Sequence, residues 1–340
     1  MSKYQENERE NAPKRKCFNN DSFSGIYRKI PREFVLLNWK NNLFGEIPHK
    51  LILSYFDDNK ISWWGGKKPT GHILSSQIAC LNYLFIIRTD RDAVLSLAQT
   101  ICADLDDVLE IANDTDNTKA FISFEAVSDK DYLNECVNGQ NPTRGNNCTS
   151  IDALIVAKHK NGKTILIPIE WKYTEWYGNT DKSTEDGKDN EKGSQKSGKI
   201  RLARYSELIT KSSQLRIKLK DYKSSVYFFE PFYQLMRQTL WAEQMINAKN
   251  RINESIQADD YIHVHVIPIE NHDLLKDDLK TNRRRKAYSN GTTKGSMEEI
   301  WKSCLINPDK YKIITPSSLL ANIDKNRYNS LIKYLNFRYE

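Results

Sequence analysis

The apolar residues of this chain follow two spacings, and together they predict a mixed α/β fold. Some segments repeat apolar side chains every three or four residues, as one face of a helix does, and shorter segments alternate or run unbroken, as strands do. The predicted helices span residues 72–88, 91–112, 200–222, 231–249, 298–305 and 329–337. The predicted strands span residues 120–127, 151–157, 164–171 and 261–269, with a shorter β-like segment at 226–229. This order predicts a central mixed β-sheet flanked by helices, which begins with an antiparallel meander.

Two of the predicted strands form a hairpin that carries the candidate chemistry. They flank an Asn-Gly dipeptide, which is a strong hairpin signal between β-rich segments. Asp152 opens the first strand, and Glu170 and Lys172 close the second. Two carboxylates can hold Mg²⁺ beside a phosphodiester, and a lysine can orient or activate the attacking water. The hairpin therefore has the groups that a metal-dependent phosphodiesterase needs.

The turn of this hairpin decides whether those groups meet. A strict two-residue turn would place Asp152 opposite Trp171, and strand alternation would then send Glu170 and Lys172 to the other face of the sheet. The chemistry needs all three side chains on one face, so we predict a register shift of one residue from an odd-length loop or a bulge. Pro168 cannot donate a ladder hydrogen bond and is the expected place of the irregularity.

Composition predicts how the chain divides. Residues 1–20 are charged and rich in Asn, which predicts a loosely ordered leader. Residues 21–115 are expected to form a helical N-terminal extension that packs on a catalytic core at residues 116–340. Within that core, residues 179–199 are nearly free of apolar side chains. They predict a mobile surface insertion that could close over a substrate.

The formal charge of +7 fits a polyanionic partner such as nucleic acid, although many proteins this basic bind none. No apolar segment reaches the length of a membrane span, and the first residues are charged, unlike a signal peptide. We therefore expect no membrane partner and a cytoplasmic location.

The cysteines and histidines argue against a metal cage or a disulfide framework. The six cysteines are scattered, without a Cys-x-x-Cys motif and without histidines at ligand spacing. His263 and His265 alternate along one predicted strand and so face one side of the sheet. Because no further His or Cys lies nearby in the sequence, packing and strand-surface roles are favoured over metal binding.

Several segments together carry a resemblance to a known family. They are Ser75-Ser76-Gln77-x-x-Cys80-x-Asn82, Phe124-Glu125, Ser150-Ile151-Asp152, Glu170-Trp171-Lys172-Tyr173-Thr174-Glu175 and Gln234-Leu235-Met236-Arg237. The region that contains them resembles the PD-(D/E)XK nuclease superfamily and, within it, a bacterial group of restriction endonucleases. A Glu-x-Lys triplet alone is a weak signal, whereas the extended Glu-x-Lys-Tyr-Thr-Glu after an Asp-led strand is far more specific. Ile151 stands where the superfamily name has proline, a departure that is common there.

The resemblance implies a restriction-endonuclease-like fold and specific roles for the hairpin residues. Asp152 and Glu170 would bind Mg²⁺, for which Mn²⁺ can substitute, with the backbone carbonyl of Trp171 as a third oxygen. Lys172 would position the attacking water and the phosphate. The alternative for Lys172 is a strand-end lysine that only pairs with Glu170.

Four further residues are candidates for catalytic support, each with a structural alternative. Glu125 would be an additional ligand of the metal or of water, or else a solvent-facing strand residue. Glu175 would supply a second metal site or cap the strand exit. Gln234 and Arg237 lie one helical turn apart and share a face, so Arg237 could bind the phosphate while Gln234 orients water. Both could instead bond to protein carbonyls. Gln77 could approach the site from the preceding helix, but buried helix packing is favoured for it.

The activity that these expectations describe is Mg²⁺-dependent endodeoxyribonuclease cleavage of duplex DNA, of restriction or defence type. A basic loop is a candidate for binding the DNA backbone, with a solvated loop as its alternative; it consists of Arg283, Arg284, Arg285 and Lys286. Cutting both strands of a palindrome would favour a homodimer. Two alternatives are a structure-specific repair or resolvase-like nuclease and a catalytically idle DNA-binding protein on the same fold.

Overall fold

A mixed β-sheet lies at the centre of this computed structural model, which describes residues 2–64, 66–113, 119–136, 140–144, 148–177, 181–183, 197–216, 226–276 and 296–340. The strands are β1 (Ile26–Tyr27), β2 (Ile30–Pro31), β3 (Leu105–Val108), β4 (Ala112–Asn113), β5 (Lys119–Ala120), β6 (Ser123–Ala126), β7 (Ile151–His159), β8 (Thr164–Trp171), β9 (Asp260–Tyr261), β10 (His263–Val266) and β11 (Tyr311–Ile314). The α-helices are α1 (Lys3–Asn11), α2 (His49–Asp58), α3 (Ser76–Leu84), α4 (Arg91–Ile101), α5 (Ser197–Lys211), α6 (Phe232–Ile246), α7 (Ala248–Arg251), α8 (His272–Leu275), α9 (Met297–Ser303), α10 (Pro316–Leu319) and α11 (Asn329–Tyr339).

The central sheet has the strand order β11-β10-β8-β7-β3, with β6 also on the outer edge of β7 and β9 on β8. Strands β6, β7 and β8 pair antiparallel, whereas β8, β10 and β11 pair parallel. The predicted mixed sheet and its opening meander are therefore confirmed.

Helices cover both faces of this sheet, because alternate side chains of β7 point into two separate apolar clusters. One cluster joins Ala153 and Ile155 to α3, α4 and α11. The other joins Leu154 and Val156 to α5, α6 and α9. The predicted α/β fold, with helices on the faces of a central sheet, is confirmed.

The N-terminal segment differs from its predicted loose order. Residues Lys3–Asn11 form α1, whose first turn is capped because the Ser2 hydroxyl accepts a hydrogen bond from the Gln5 backbone N–H at 3.1 Å. The buried Glu8 carboxylate accepts hydrogen bonds from the Arg15 guanidinium at 2.8 Å and from the Tyr173 hydroxyl. This helix is held by polar partners from distant segments, which a search for an apolar stripe does not find.

Two further elements differ from their predictions. The helix predicted for residues 91–112 ends at Ile101, and Leu105–Val108 forms a strand on β7. Leu105 and Val108 are three residues apart, which satisfies helical spacing, but pairing with β7 selects the extended form. The β-like segment at residues 226–229 is a 3₁₀ turn over Val226–Phe228.

Candidate functional site

The loop of the β7–β8 hairpin sets the register of the site. The His159 backbone N–H donates to the Lys163 carbonyl at 2.9 Å, which leaves a three-residue loop whose Gly162 has φ +86°. That left-handed conformation suits glycine. The odd-length loop that we predicted is confirmed.

The odd loop places the two principal carboxylates side by side. Ala153 pairs with Ile169, so Asp152 and Glu170 lie opposite each other one step nearer the strand ends, on the same face of the sheet. Pro168 lies in an unbroken register, so the prediction that it holds the irregularity was wrong. The Asp152 carboxylate accepts a hydrogen bond from the Trp171 backbone N–H at 2.7 Å, which fixes it against the end of β8.

A third carboxylate extends this row. Strand β6 pairs with β7 in a register that places Glu125 beside Asp152. Glu125 has φ +48°, a conformation that is uncommon for a side chain of this size. Its carboxylate accepts a hydrogen bond from the Gln77 side-chain amide at 2.9 Å. Gln77, for which packing was expected, therefore faces the site from α3.

Lys172 and Gln238 complete the site around Glu170. The Lys172 ammonium and the Gln238 side-chain amide each donate a hydrogen bond to one carboxylate oxygen of Glu170. The side chains of Glu170 and Lys172 are only 8% and 6% exposed. The Lys172 backbone N–H donates to the Val266 carbonyl at 2.9 Å, which anchors the residue to β10.

Sequence reasoning did not find Gln238. It selected Gln234 and Arg237 on the same helix, but the face of α6 that meets Glu170 is set by how the helix packs on the sheet. Gln238 follows Gln234 by one turn, and this spacing is the signal that could have found it. It is buried, and its carbonyl oxygen has no hydrogen-bond partner among the described residues.

Crowded negative charge shapes the electrostatics. Burial raises the pKa of the Asp152 carboxyl well above its usual range, and the charges of Glu170 and Glu125 add to the rise. Burial and the charge of Glu170 also raise the pKa of Glu125 to about 7, against the hydrogen bond from Gln77. Burial opposes the charge of Lys172, but the neighbouring Glu170 carboxylate raises its pKa well above the usual value. Burial and mutual repulsion therefore both disfavour the ionised carboxyls, and a bound cation would stabilise their charged forms.

The remaining support candidates have protein partners. The Glu175 carboxylate accepts from the Tyr173 backbone N–H at 2.6 Å and so closes the turn after β8. The Gln234 side-chain carbonyl accepts from the Tyr177 hydroxyl at 3.3 Å.

Arg237 belongs to a separate polar cluster. Its guanidinium donates to the Glu135 carboxylate at 2.8 Å, and Glu135 also accepts from the Thr149 backbone N–H and from the Tyr205 hydroxyl at 2.5 Å. Such a buried, multiply bonded carboxylate holds the arginine in place. The structure therefore ties Arg237 to the segment around Glu135.

The two strand histidines serve packing, as expected. Both are buried, and the Nδ1 atom of His265 lies 3.1 Å from the Tyr311 hydroxyl. Burial lowers the pKa of His263 to about 3 and that of His265 well below its usual value, so both rings are neutral at physiological pH.

The site can offer a divalent cation a small set of oxygen ligands. Within the described parts of the chain, no three His, Cys, Asp or Glu side chains are arranged as a ready metal-binding group. An ion at the row of carboxylates would therefore take Asp152 and Glu170 and complete its coordination with other oxygens, as Mg²⁺ commonly does.

Some predicted features fall outside the described residues. The basic loop of Arg283, Arg284, Arg285 and Lys286 is one, and most of the predicted insertion at residues 179–199 is another. Among the helices that the structure does describe, none combines the length and the apolar character that crossing a membrane requires.

One comparison with known proteins gave a match, and the matched residues include the whole site. A family model described as "Restriction Endonuclease associating with ARP" matches residues 2–340. The comparisons with curated proteins and with solved structures gave no match. The matched region includes the hairpin, α6 and the N-terminal helix.

Proposed function

Because the chain belongs to the family of restriction endonucleases associating with ARP, a nuclease family of restriction or defence type, we propose that it is a Mg²⁺-dependent endodeoxyribonuclease that cleaves duplex DNA. The observation that carries this proposal is the placement of Asp152, Glu170 and Lys172 together on one face at the ends of β7 and β8. In metal-dependent phosphodiester hydrolysis, carboxylates hold the metal ion and a cationic side chain can orient the reactants.

The donor set fits magnesium. Asp152 and Glu170 would hold the ion with the backbone carbonyl of Trp171, and Mn²⁺ can take the same ligands. The raised pKa values of Asp152 and Glu125 support this assignment, since burial and the neighbouring carboxylates both disfavour their ionised forms, which a bound cation would stabilise. When bound, the ion supplies Lewis acidity and neutralises charge that develops on the phosphate.

The protein side chains orient the reactants. Lys172 keeps its positive charge because Glu170 stabilises it, and this charge would hold the attacking water and a phosphate oxygen in position. Gln238 fixes the second oxygen of Glu170, which keeps that carboxylate from rotating. Glu125 would be an additional ligand of the metal or of water.

The partners follow from the same assignment. Duplex DNA is the proposed substrate, and a homodimer would place two such sites on the two strands of a palindrome. The family description also names ARP, and we propose the same association for this chain.

Incubation of the purified protein with varied plasmids and Mg²⁺ tests the proposal. We expect nicked and linear products with Mg²⁺ or Mn²⁺ and none with EDTA. Absence of cleavage on methylated and unmethylated plasmids with either metal would reject the nuclease assignment. Much faster cutting of branched DNA than of linear duplex would instead support a repair or resolvase-like nuclease.

Replacement of Gln238 by leucine is expected to slow cleavage about 10–100-fold, because outer partners of metal ligands contribute on that scale. Glu170 would lose its second donor, so the Mg²⁺ concentration needed for half-maximal cleavage should also rise. Single-turnover cleavage across a Mg²⁺ titration measures both effects.

The matched control is Gln244→Leu on the same helix, where the side chain bonds Asn250 instead. This variant should keep a Mg²⁺ requirement close to that of the wild type. An equal change in both variants would mean that Gln238 acts only through helix packing.

A further inference from the structure

The small hairpin of β1 and β2 has an unusual turn. Ile26–Tyr27 pairs antiparallel with Ile30–Pro31 across Arg28 and Lys29, whose φ angles are 50° and 67°. A two-residue turn with positive φ at both positions normally takes Asn-Gly, since long side chains are strained there. Strained backbone that the surrounding structure maintains is frequent at ligand-binding sites.

The hairpin is anchored at its base and exposed at its tip. The Gly25 backbone N–H donates to the Val35 carbonyl at 2.9 Å, and the Arg32 N–H donates to the Gly25 carbonyl at 3.0 Å. Gly25 must be glycine here, because a Cβ atom would lie 2.4 Å from the Leu36 carbonyl oxygen. Beyond this base, the side chain of Ile26 is 73% exposed. The result is a fixed ribbon that projects from the surface.

Three cationic side chains lie on or beside this ribbon, next to the acidic Glu33. Arg28, Lys29 and Arg32 are exposed, and none forms an ion pair with a carboxylate of the described residues. Arg9 of α1 lies over the Phe34 ring, 4.6 Å from its centre. Burial lowers the pKa of Arg9, and the nearby charges of Arg32 and Arg28 lower it further.

A chain of contacts joins the ribbon to the carboxylates. The rings of Tyr27 and Trp64 stack with centres 6.0 Å apart. The Trp64 backbone N–H donates to the Gln77 side-chain carbonyl at 3.0 Å, and the Gln77 amide donates to Glu125 at 2.9 Å. The base of the ribbon is therefore linked to the row of carboxylates through Trp64 and Gln77.

We propose that the β1–β2 hairpin is a DNA-binding ribbon that holds the duplex beside the cleavage site. Arg28 and Lys29 neutralise backbone phosphates of the DNA at the tip of the hairpin. The exposed Ile26 and Ile30 side chains contact the major groove of the DNA, which is wide enough for a two-stranded ribbon. This inference rests on duplex DNA as the proposed substrate.

The double variant Arg28→Asn with Lys29→Gly separates charge from structure. Asn-Gly is the preferred sequence for this turn, so the hairpin stays folded while two positive charges are removed. Binding of a fluorescent duplex is followed by anisotropy in EDTA over a range of KCl concentrations. We expect the Kd to rise about 10-fold at about 100 mM KCl, and the slope of log K against log[KCl] to fall by about 2.

The control variant removes two positive charges from the β7–β8 hairpin instead. Lys160→Asn with Lys163→Asn alters the β7–β8 loop, which lies roughly 23 Å along β7 from Asp152 at 3.3 Å per residue. This variant should keep the wild-type Kd and slope. Unchanged binding by the β1–β2 variant, an equal loss in the control, or a wild-type protein without duplex affinity would each overturn the inference.

Failure of the proposed function gives a different result. Cleavage is measured separately with Mg²⁺, whereas binding is measured in EDTA. A protein that binds duplex through the ribbon but cuts no DNA would leave the inference standing and reject the nuclease assignment.

Discussion

The Lys172→Ala variant is expected to cut duplex DNA at least about 10²–10³-fold more slowly than the wild type, the usual cost of removing one preorganised electrostatic group from an active site. Lys172 is the cation that bonds Glu170, and its ammonium is nearly inaccessible to water. Water that enters the site after truncation would not replace a positive charge held at a fixed position. Single-turnover cleavage with saturating Mg²⁺ measures the loss.

Stability must be measured in the same variant, because breaking a buried ion pair costs about 3–5 kcal/mol. Thermal melting shows whether the protein is folded at the assay temperature, and duplex binding in EDTA shows whether the DNA surface is intact. Lys158→Ala is the matched control, since Lys158 lies at the far end of β7 and bonds the Thr164 hydroxyl at 2.7 Å. A Lys172→Ala variant that is folded and cuts at the wild-type rate would reduce Lys172 to a structural partner of Glu170.

The Asp152→Asn variant is expected to lose both cleavage and tight Mn²⁺ binding. The amide has nearly the same shape, and its oxygen can still accept the hydrogen bond from the Trp171 N–H. What disappears is one of the two carboxylates that we propose as metal ligands, and a neutral amide oxygen binds a divalent ion more weakly. Isothermal titration with Mn²⁺ reports the binding, and plasmid cleavage reports the activity.

The same variant should be at least as stable as the wild type. A folded-state pKa above the usual value means that the ionised Asp152 costs stability at neutral pH, and the neutral amide removes that cost. Asp104→Asn, at an exposed pair with Lys160, controls for the loss of one carboxylate elsewhere. Cleavage equal to that of the wild type would point to a contaminating nuclease. A lower melting temperature would contradict the cost in stability that burial and the neighbouring carboxylates impose on the ionised Asp152.

The hairpin that carries the site was predictable because its signals are local. Two β-rich segments and an Asn-Gly dipeptide define the strands, and the requirement for one face leads to the odd-length loop. The position of Gln238 was not predictable in this way. Which face of an amphipathic helix meets a sheet depends on tertiary packing, and Gln234, Arg237 and Gln238 lie within about one turn.

Long-range contacts explain the other differences between the predicted and the observed secondary structure. The N-terminal helix is held in place through Glu8, whose hydrogen-bond partner Tyr173 lies 165 residues away. No local sequence pattern predicts that bond. Leu105–Val108 satisfies helical spacing as well as strand pairing, and only the neighbouring β7 decides between them. Local propensity is overridden where a distant strand or a buried polar partner stabilises a different conformation more strongly.

The bond between Glu8 and Tyr173 also bears on the order in which the enzyme is assembled. Tyr173 directly follows Lys172, and Arg15, which shares Glu8, donates in turn to the Arg338 carbonyl 323 residues away. Contacts between such distant segments form late in folding, because the entropy cost of closing the long loop between them must be overcome first. The strand end that carries the lysine is thus held by contacts that form only when segments as distant as Glu8 and Arg338 have come together. The arrangement that we propose for hydrolysis is therefore complete only in the folded chain.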